Sequence, residues 1–398
     1  MTARPERPVG VLRARVPGLD WLLLTAVLGL VVMGLLLVWS ATAHRDALTD
    51  GDPRAYLAKQ LVNVAIGLVL MVVVLATDHR WVRIVAPLVY LASVAGLVLV
   101  LTMGSTVNGS RSWLMIGGLS VQPSEFAKLA VVIGMALLVA ERAESGWRHS
   151  VGAVDVALML AIAALPAALI LKQPDLGTVL VLSATVFGVL TAAGATRRWL
   201  ALLAGGGAVA AVAAVAMGAL QKYQVDRFLA FTDPGLDPRG AGYNTEQARI
   251  AVGNGGLFGQ GLFHGTQTRA GFVPEQHTDF IFTVAGEELG LVGAGVLIVL
   301  MGVVVWRALV IAGATDDVFG RVAAAGIGCW FGFQAFQNIG MCLGIMPVTG
   351  VPLPFVSYGG SSMFASLLAV GLLQNIRLRA GAGLRYASDT RPLALLGR

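Results

Sequence analysis

Apolar stretches of about twenty residues recur along nearly the whole chain, and they decide what it can fold into. One helical crossing of a bilayer takes about 20 predominantly apolar residues, and a spanning helix satisfies its own backbone hydrogen bonds. Hydrophobic residues make up 57% of the 398 residues and charged residues 13%, against about 25% charged residues in a soluble domain. The pattern predicts an all-α polytopic membrane protein with ten transmembrane helices. The predicted spans lie near residues 21–40, 59–77, 83–103, 122–140, 153–171, 176–194, 199–219, 279–304, 322–346 and 361–376.

Arginines are concentrated on one side of this predicted bundle. An even number of crossings places both termini on the same side, and that side receives most of the loop arginines. Because cytoplasmic loops are enriched in Lys and Arg, both termini are predicted to be cytoplasmic. The arginines on this side are Arg4, Arg7, Arg13, Arg15, Arg80, Arg83, Arg142, Arg148, Arg197, Arg198, Arg307, Arg321, Arg377, Arg379 and Arg385.

The same topology predicts the domain organisation. Residues 1–20 form a cytoplasmic N-terminal tail, residues 21–376 the transmembrane domain, and residues 377–398 a cytoplasmic C-terminal tail. A large extracytoplasmic loop, residues 220–278, separates helices 7 and 8. The net charge of +6 is explained by orientation in the membrane, so no nucleic-acid partner is expected.

The large loop leads into a carboxylate, Asp279, at the point where polar sequence gives way to an apolar run. An ionisable residue at such a boundary is a functional hypothesis by default. Thr278 or Asp279 at the start of the next helix also fits an ordinary N-cap. Glu287 lies two turns further on and is expected to share a helical face with Asp279. Spacing alone leaves open whether these acids hold a divalent cation or shift each other's pKa.

Two opposite charges lie inside the fourth predicted span. Glu125 and Lys128 are three residues apart, and this spacing permits an ion pair within one helix. Two interpretations are open, a structural pair that makes the charges tolerable in the membrane and a substrate-facing site. Gln122 and Ser124 on the same turn favour a polar cavity in the outer leaflet.

Other polar residues lie near the outer ends of helices. Lys172 ends the fifth span, and Asp175 is predicted to cap the sixth helix. Trp113 suits an interfacial belt, although an aromatic ring beside Arg111 also suits contact with a sugar or a pyrophosphate. Residues 357–362 form a polar, non-helical segment before the last span. Such a segment needs protein or a water-filled cavity against it, and we expect it to pack under the large loop.

These polar motifs form an ordered set along the chain. They are NGSRSW at 108–113, QPSE at 122–125 with Lys128, QPDLGT at 173–178, GYN at 242–244 with Gln247, PE at 274–275, HTDFIF at 277–282, GEELG at 286–290 and PLPFVSYGGSS at 352–362. Together they resemble the SEDS family (shape, elongation, division and sporulation) over about residues 20–380. Residues 265–267 and 347–354 are similar to its elongation-type (RodA) branch rather than its division-type (FtsW) branch.

The resemblance implies a peptidoglycan glycosyltransferase that uses lipid II during cell elongation. The 4-hydroxyl of one lipid-linked N-acetylglucosamine attacks the anomeric carbon of the other chain's N-acetylmuramic acid, and undecaprenyl pyrophosphate leaves. An α-linked donor and a β-linked product imply inversion by a single displacement. That reaction needs a base and charge stabilisation of the leaving group, but no protein nucleophile. No organic cofactor is implied, and a divalent cation, Mg²⁺ or Mn²⁺, is a candidate helper.

Matching positions carry the implied site residues. Asp279 is the implied general base, or a metal ligand that assists in the proton transfer. Helical spacing, not the resemblance, adds Glu287 as a second metal-ligand candidate. The other candidates are substrate contacts implied by the resemblance. Lys172, Arg249 and Arg269 are added to them as cations that would neutralise the pyrophosphate. The candidate substrate-binding residues are Arg111, Trp113, Gln122, Ser124, Glu125, Lys128, Lys172, Arg249, Arg269, His277, Thr278, Ser357 and Ser361.

The resemblance also implies partners and a location. The partners are lipid II, the undecaprenyl-linked glycan chain, membrane lipid, a class B penicillin-binding protein (a PBP2-like transpeptidase) and other membrane proteins of the elongation complex. The location is the bacterial cytoplasmic membrane, crossed many times, with the active site facing outside. Three other functions stay open: a lipid II flippase, because intramembrane charges suit a transporter, a division-type polymerase, and a scaffold that recruits a transpeptidase.

Overall fold

The chain folds into a bundle of long helices. A computed structural model describes residues 18–49, 51–107, 110–116, 119–145, 151–218, 225, 227 and 240–379. Most of the predicted N-terminal tail and the predicted C-terminal tail beyond Arg379 lie outside these residues. So do residues 228–239 of the predicted large loop.

Ten helices of 18 residues or more are present among the described residues, together with three short helices and three strands. In chain order the elements are α1 (Trp21–Ala43), α2 (Asp46–Thr49), α3 (Ala55–Ala76), α4 (His79–Met103), β1 (Ser105–Val107), β2 (Ser110–Ile116), β3 (Leu119–Val121), α5 (Pro123–Glu144), α6 (Ala153–Lys172), α7 (Leu176–Ala193), α8 (Arg197–Ala216), α9 (Ala241–Asn254), α10 (Thr266–Ala270), α11 (Ile281–Gly313), α12 (Val318–Leu343) and α13 (Gly360–Arg379).

The long helices confirm the predicted all-α membrane architecture. Within the described part of the chain, nine of them are long and apolar enough to cross a membrane. The tenth, α12, has the length but carries three buried amide side chains, Gln334, Gln337 and Asn338. Ten crossings with both termini cytoplasmic therefore stay a prediction. Helices α5, α12 and α13 are buried over most of their length, whereas no residue of α8 is buried.

Polar contacts tie the first and last helices together at one end of the bundle. Asp20, just before α1, is 3% exposed and accepts a hydrogen bond from Arg307 of α11 at 2.6 Å. Arg377 of α13 lies 3.5 Å from the same carboxylate. Gln374 of α13 also exchanges hydrogen bonds with the Asp20 backbone. The candidate site lies at the opposite end, where the 240–280 segment packs.

Three short antiparallel strands interrupt the helical pattern between α4 and α5. β2 pairs with β1 on one side and with β3 on the other. The sequence pattern does not predict them, because β1 and β3 have three residues each and the seven residues of β2, SRSWLMI, do not alternate between polar and apolar. β2 packs against α4 and α5 and places Trp113 beside the candidate site.

Helix α11 is broken in its third turn, a feature that the apolar pattern of the span does not predict. Gly290 has φ +66° and ψ −167°, so the helical hydrogen bonds around it are lost. The segment 256–261 restores them from outside the helix. Leu291 and Val292 donate their N–H groups to the carbonyls of Gly256 and Leu257, and Gln260 and Gly261 donate to the carbonyls of Glu287 and Glu288, at 2.9–3.1 Å.

Gly290→Ala is expected to destabilise the protein by about 2 kcal/mol or more, because a non-glycine residue is strained at positive φ. A Cβ at this position would also clash with the Gly259 nitrogen. The melting temperature in detergent measures the effect. Gly295→Ala in the same helix is the matched control, since a Cβ there meets nothing within 4 Å. Equal melting temperatures for the two variants would contradict the assignment of strain to the break.

Candidate active site

A cavity of about 370 Å³ lies at the end of the bundle opposite Asp20. Its wall is formed by β2 and β3, the start of α5, the loop between α6 and α7, the turn before α11 and the loop between α12 and α13. Among the described residues, the lining consists of Ser112, Trp113, Met115, Ser120, Gln122, Pro174, Asp175, Leu176, Arg227, Glu275, Thr278, Asp279, Pro347, Val348, Thr349, Gly350, Pro352, Tyr358, Gly359, Ser361 and Ser362.

Asp279 belongs to a compact turn formed by residues 275–280, which we call the Asp279 turn. The N–H groups of Thr278, Asp279 and Phe280 all donate to the carbonyl of Glu275, at 3.0–3.3 Å. Glu275 adopts φ +45°, a left-handed conformation that is strained for a non-glycine residue. α11 begins only at Ile281, and its N-cap position has no side-chain hydrogen bond. The prediction that Thr278 or Asp279 caps this helix is therefore wrong.

Burial makes the Asp279 carboxyl hard to ionise. It raises the pKa of Asp279 to about 7, and the nearby charge of Glu275 adds to the increase. Arg227 acts in the opposite direction. A carboxyl group with a pKa near neutrality can take up and release a proton at physiological pH. Gly350 packs close by, with φ +70°, and a Cβ there would lie 3.1 Å from Oδ2 of Asp279.

Asp175 caps α7, as predicted, and it also faces the cavity. Its carboxylate accepts hydrogen bonds from the N–H of Thr178 at 2.9 Å and from the Thr178 hydroxyl at 2.7 Å. Gln122 donates its side-chain amide to the same carboxylate at 3.4 Å, and its backbone N–H to the Ser361 hydroxyl at 2.8 Å. Burial raises the pKa of Asp175, partly offset by the Thr178 hydrogen bonds. Gln122 thus joins three walls of the cavity.

Glu125 and Lys128 form the ion pair that their spacing permits, with the ammonium 2.7 Å from Oε1 of Glu125. Both are almost completely buried, and neither lines the cavity. Lys128 also donates to Oε1 of Gln334 at 2.7 Å, and the Gln334 amide donates to the carbonyl of Pro352 at 2.8 Å. The side chains of the pair therefore connect to the cavity wall through Gln334. Ser124 is buried beside it and does not line the cavity.

An aromatic cluster supports the cavity from the α3 side. The His277 ring packs between Tyr56, with centroids 5.0 Å apart, and Tyr358, at 5.6 Å. Burial lowers the pKa of His277 to about 4, so its ring is neutral at physiological pH. Tyr358 donates its N–H to the His277 carbonyl, as expected for a 357–362 segment packed against the large loop. Ser357 is buried beneath it and accepts from the Leu353 N–H.

The predicted cations lie away from the cavity. Arg111, Lys172, Arg249 and Arg269 are exposed and absent from the lining, and Arg111 donates to the carbonyl of Leu101 at the end of α4. Among the described lining residues the positive charge is Arg227, which the sequence pattern did not single out. Long cationic side chains near helix ends commonly extend toward the interface, so spacing did not reveal their direction.

Glu287 does not share a face with Asp279, contrary to the sequence expectation. Its two carboxylate oxygens accept four hydrogen bonds from residues 266–268, and the side chain is fully buried away from the cavity. The broken helix at Gly290 lets the 256–268 segment pack against this side. Among the described residues, no three His, Cys, Asp or Glu side chains converge as metal ligands. The predicted Asp279–Glu287 cation site is therefore not formed by this structure.

Glu275, Asp175 and Tyr358 are cavity residues that the sequence reasoning left without a substrate role. Each lies inside one of the polar motifs, so the motif itself was the available signal. The sequence predicts only a cap at Asp175, whereas in the structure its carboxylate caps α7 and also faces the cavity. Trp113, Gln122, Thr278, Asp279 and Ser361 are the candidates that the structure does bring together.

Comparison with known proteins identifies the family. A family model described as "Cell cycle protein", covering FtsW, RodA and SpoVE, matches residues 20–380. The chain belongs to this family. The probable peptidoglycan glycosyltransferase FtsW of Trichlorobacter lovleyi is 38% identical over 373 residues, covering 93% of this chain and 95% of that protein. The peptidoglycan glycosyltransferase MrdB of Escherichia coli (strain K12) is 38% identical over 362 residues, covering 90% and 93%.

Solved structures of the FtsW, RodA and SpoVE family share this fold. A chain from a peptidoglycan synthase complex that coordinates polymerization and crosslinking matches with a TM-score of 0.76 and 32% identity, covering 91% of this chain and 98% of that chain. The rod shape determining protein RodA of Thermus thermophilus matches with a TM-score of 0.67 and 30% identity, covering 91% and 97%.

Proposed function

We propose that this peptidoglycan glycosyltransferase polymerises glycan strands from lipid II, with Asp279 as the general base. The enzyme class is the one named for its relatives FtsW and MrdB. The observation that carries the catalytic assignment is the half-buried Asp279 carboxyl, with a pKa near neutrality, on the wall of the cavity. Groups with perturbed pKa values in a cleft are functional-site candidates on physical grounds.

In the proposed reaction the acceptor hydroxyl is placed next to Asp279. The carboxylate takes the proton as the hydroxyl oxygen forms its bond to the anomeric carbon of the donor. The bond between that carbon and the pyrophosphate oxygen breaks at the same time, and the electron pair leaves with the undecaprenyl pyrophosphate. One base and one leaving group balance the step, which agrees with inversion in a single displacement.

The leaving pyrophosphate is proposed to lie between Arg227 and the start of α13. Arg227 supplies positive charge, and Ser361 and Ser362 line the cavity at the first turn of that helix. The N-terminus of a long helix presents unpaired N–H groups and a partial positive charge, which favour a phosphate. Trp113 and Tyr358 offer flat faces on which sugar rings pack.

Only protein residues are given roles in these steps, and no role is given to a metal ion. Glu287 is held by residues 266–268, so it does not serve as the second ligand of a cation beside Asp279. Mg²⁺ is usually bound through one or two carboxylates together with substrate phosphates. Polymerisation measured with EDTA and with added Mg²⁺ or Mn²⁺ tests the need for a cation directly.

Purified protein in detergent distinguishes the polymerase from a flippase. We expect fluorescent lipid II to be converted into glycan strands, resolved by gel electrophoresis, in a preparation without a bilayer. A flippase would give no strands in detergent but would move lipid II across liposomes. Assays with and without a class B transpeptidase measure whether polymerisation depends on this partner. Activity of the chain alone would exclude the alternative that it is only a scaffold for the transpeptidase.

The rate of polymerisation is expected to fall about tenfold per pH unit below pH 7 and to level off above it. Asp279 must be ionised to act as a base, and its pKa is about 7. Glu275→Gln is expected to shift the acidic limb of this pH–rate profile to lower pH, because the Glu275 charge contributes to the raised pKa of Asp279. Glu246→Gln, on the exposed side of α9, is the control. A wild-type profile without a limb between pH 5 and 8 would contradict the assignment.

We propose that the protein acts in cell elongation, on the outer face of the bacterial cytoplasmic membrane, together with a PBP2-like transpeptidase. The likeness to RodA and to a complex of polymerization and crosslinking supports this role, whereas the identities to FtsW and MrdB are equal at 38%. Rescue of rod shape in cells depleted of their elongation polymerase supports the proposal. Rescue of septation alone would replace it with the division role.

A further inference from the structure

Glu287 is the most heavily hydrogen-bonded buried carboxylate near the site, and the reaction does not use it directly. Oε2 accepts from the N–H of Thr268 at 2.9 Å and from its hydroxyl at 2.7 Å. Oε1 accepts from the N–H of Gln267 at 2.7 Å and from the Thr266 hydroxyl at 3.2 Å. All four donors belong to the first turn of α10. A carboxylate that accepts several N–H groups fixes the segment that supplies them.

The Thr268 hydroxyl carries this contact onward to the Asp279 turn. It donates to Glu287 and accepts from the side-chain amide of Gln276 at 3.1 Å. Glu287, Thr268 and Gln276 are each 0% exposed. A hydroxyl that donates on one side and accepts on the other holds both partners in one arrangement. Gln276 follows Glu275, the residue on whose carbonyl the Asp279 turn closes.

The Asp279 turn needs such support because its backbone is strained. Glu275 has φ +45°, a conformation that persists only where the surrounding structure enforces it. Hydrogen bonds from separate elements reach the turn. Gln276 is bound to α10, the His277 carbonyl accepts from the Tyr358 N–H, and the Asp279 carbonyl accepts from Asn338 of α12 at 2.7 Å. The chain Glu287–Thr268–Gln276 is the anchor on the α10 side.

We propose that Glu287 is a positioning residue that holds Asp279 in its reactive place through Thr268 and Gln276. The inference rests on the proposed function, since it assigns Asp279 a reacting role. The hydrogen bonds of Glu287 separate this role from general stabilisation of the fold. Both Thr266 and Thr268 donate to the Glu287 carboxylate, but only Thr268 also contacts the Asp279 turn.

The matched pair Thr268→Val and Thr266→Val tests this proposal. Each variant removes one hydroxyl from the Glu287 carboxylate, but only Thr268→Val breaks the contact with Gln276. We expect Thr268→Val to lower kcat by about tenfold to a hundredfold with KM nearly unchanged, because small misplacement of a reacting group is costly. Thr266→Val is expected to keep wild-type kcat. Thr268→Ser restores the hydroxyl and is expected to restore kcat.

A second variant reaches the same contact from the other side. Gln276→Met removes the donor with little change in volume and is expected to lower kcat as Thr268→Val does. The double variant is expected to be no worse than either single variant, because residues acting through one contact are not additive. Melting temperatures in detergent accompany every variant, so that a folding defect in one member is detected and the other carries the test.

Each outcome has one meaning. Equal kcat for Thr268→Val and Thr266→Val in folded protein overturns the positioning role while leaving polymerase activity intact. So does strict additivity of Thr268→Val and Gln276→Met. Wild-type protein without polymerase activity overturns the proposed function instead, and the positioning role falls with it.

Discussion

Asp279→Asn is expected to lower the turnover of lipid II by about a hundredfold to ten-thousandfold, the usual contribution of a general base. The amide has the shape of the carboxyl but cannot take up the acceptor proton. The Asp279 turn closes on the backbone carbonyl of Glu275, so the substitution leaves its hydrogen bonds in place. We therefore expect kcat to fall while KM stays within a few-fold. Turnover of fluorescent lipid II at pH 8 measures both constants.

The same variant separates catalysis from folding. Burial raises the Asp279 pKa from its ordinary value of 3.8 to about 7, so the ionised carboxylate disfavours the folded state. This penalty is absent below pH 4, grows as the pH rises towards 7 and is complete above it. At pH 8 the Asn variant is expected to melt at or above the wild-type temperature. Wild-type turnover in this variant would falsify the base assignment, whereas an inactive, unfolded variant would shift the role of Asp279 to stability.

Lys128→Met is expected to destabilise the protein by about 3–5 kcal/mol, the usual effect of removing one partner from a buried ion pair. Lys128 is fully buried, and its removal leaves the Glu125 carboxylate, 1% exposed, without its cation. Gln334 also loses the ammonium that fixes its side chain against Pro352 on the cavity wall. The melting temperature in detergent and the rate of polymerisation are the two measurements.

Two further variants give this result its meaning. Lys172→Met makes the same substitution at an exposed lysine outside the cavity and is expected to melt like wild type. Glu125→Leu/Lys128→Met removes both charges and is expected to recover most of the lost stability. Its polymerisation is expected to stay about tenfold reduced, because the Gln334 side-chain oxygen keeps Trp330 as a donor but loses Lys128. A Lys128→Met protein as stable as Lys172→Met would contradict the buried-pair account.

Local spacing was sufficient to predict the features that depend on one helix. The apolar stretches predicted the long helices, the i, i+3 spacing predicted the Glu125–Lys128 pair, and the position of Asp175 predicted its cap. Each follows from residues that are neighbours in sequence. The resemblance added the identity of Asp279 as the first candidate.

Features that depend on packing between distant segments were not predictable in this way. Gly290 is an ordinary glycine by its sequence context, and only the 256–261 segment makes a break there tolerable. The break in turn directs Glu287 towards α10, which removed it from the predicted cation site. Arg227 reaches the cavity from a segment without a recognisable pattern. The prediction that the exposed cations face the cavity is wrong for Arg111, Lys172, Arg249 and Arg269. The charge of a residue indicates the ligand that it suits, but it does not indicate the direction of a long side chain.

The break at Gly290, bridged by hydrogen bonds from residues 256–261, also determines which wall of the cavity is able to move. Four main-chain hydrogen bonds join residues 256–261 to α11 on either side of it, and losing one would leave a main-chain donor or acceptor unpaired, at a cost of about 1–3 kcal/mol where it is buried. The 240–280 segment is therefore not a hinged cover over the site but part of its frame. In the proposed reaction a growing strand therefore advances past a base that stays in place. The 347–359 loop is also tied to α12 and to the Asp279 turn, so the proposal places the room for each added disaccharide on the side of β2 and β3.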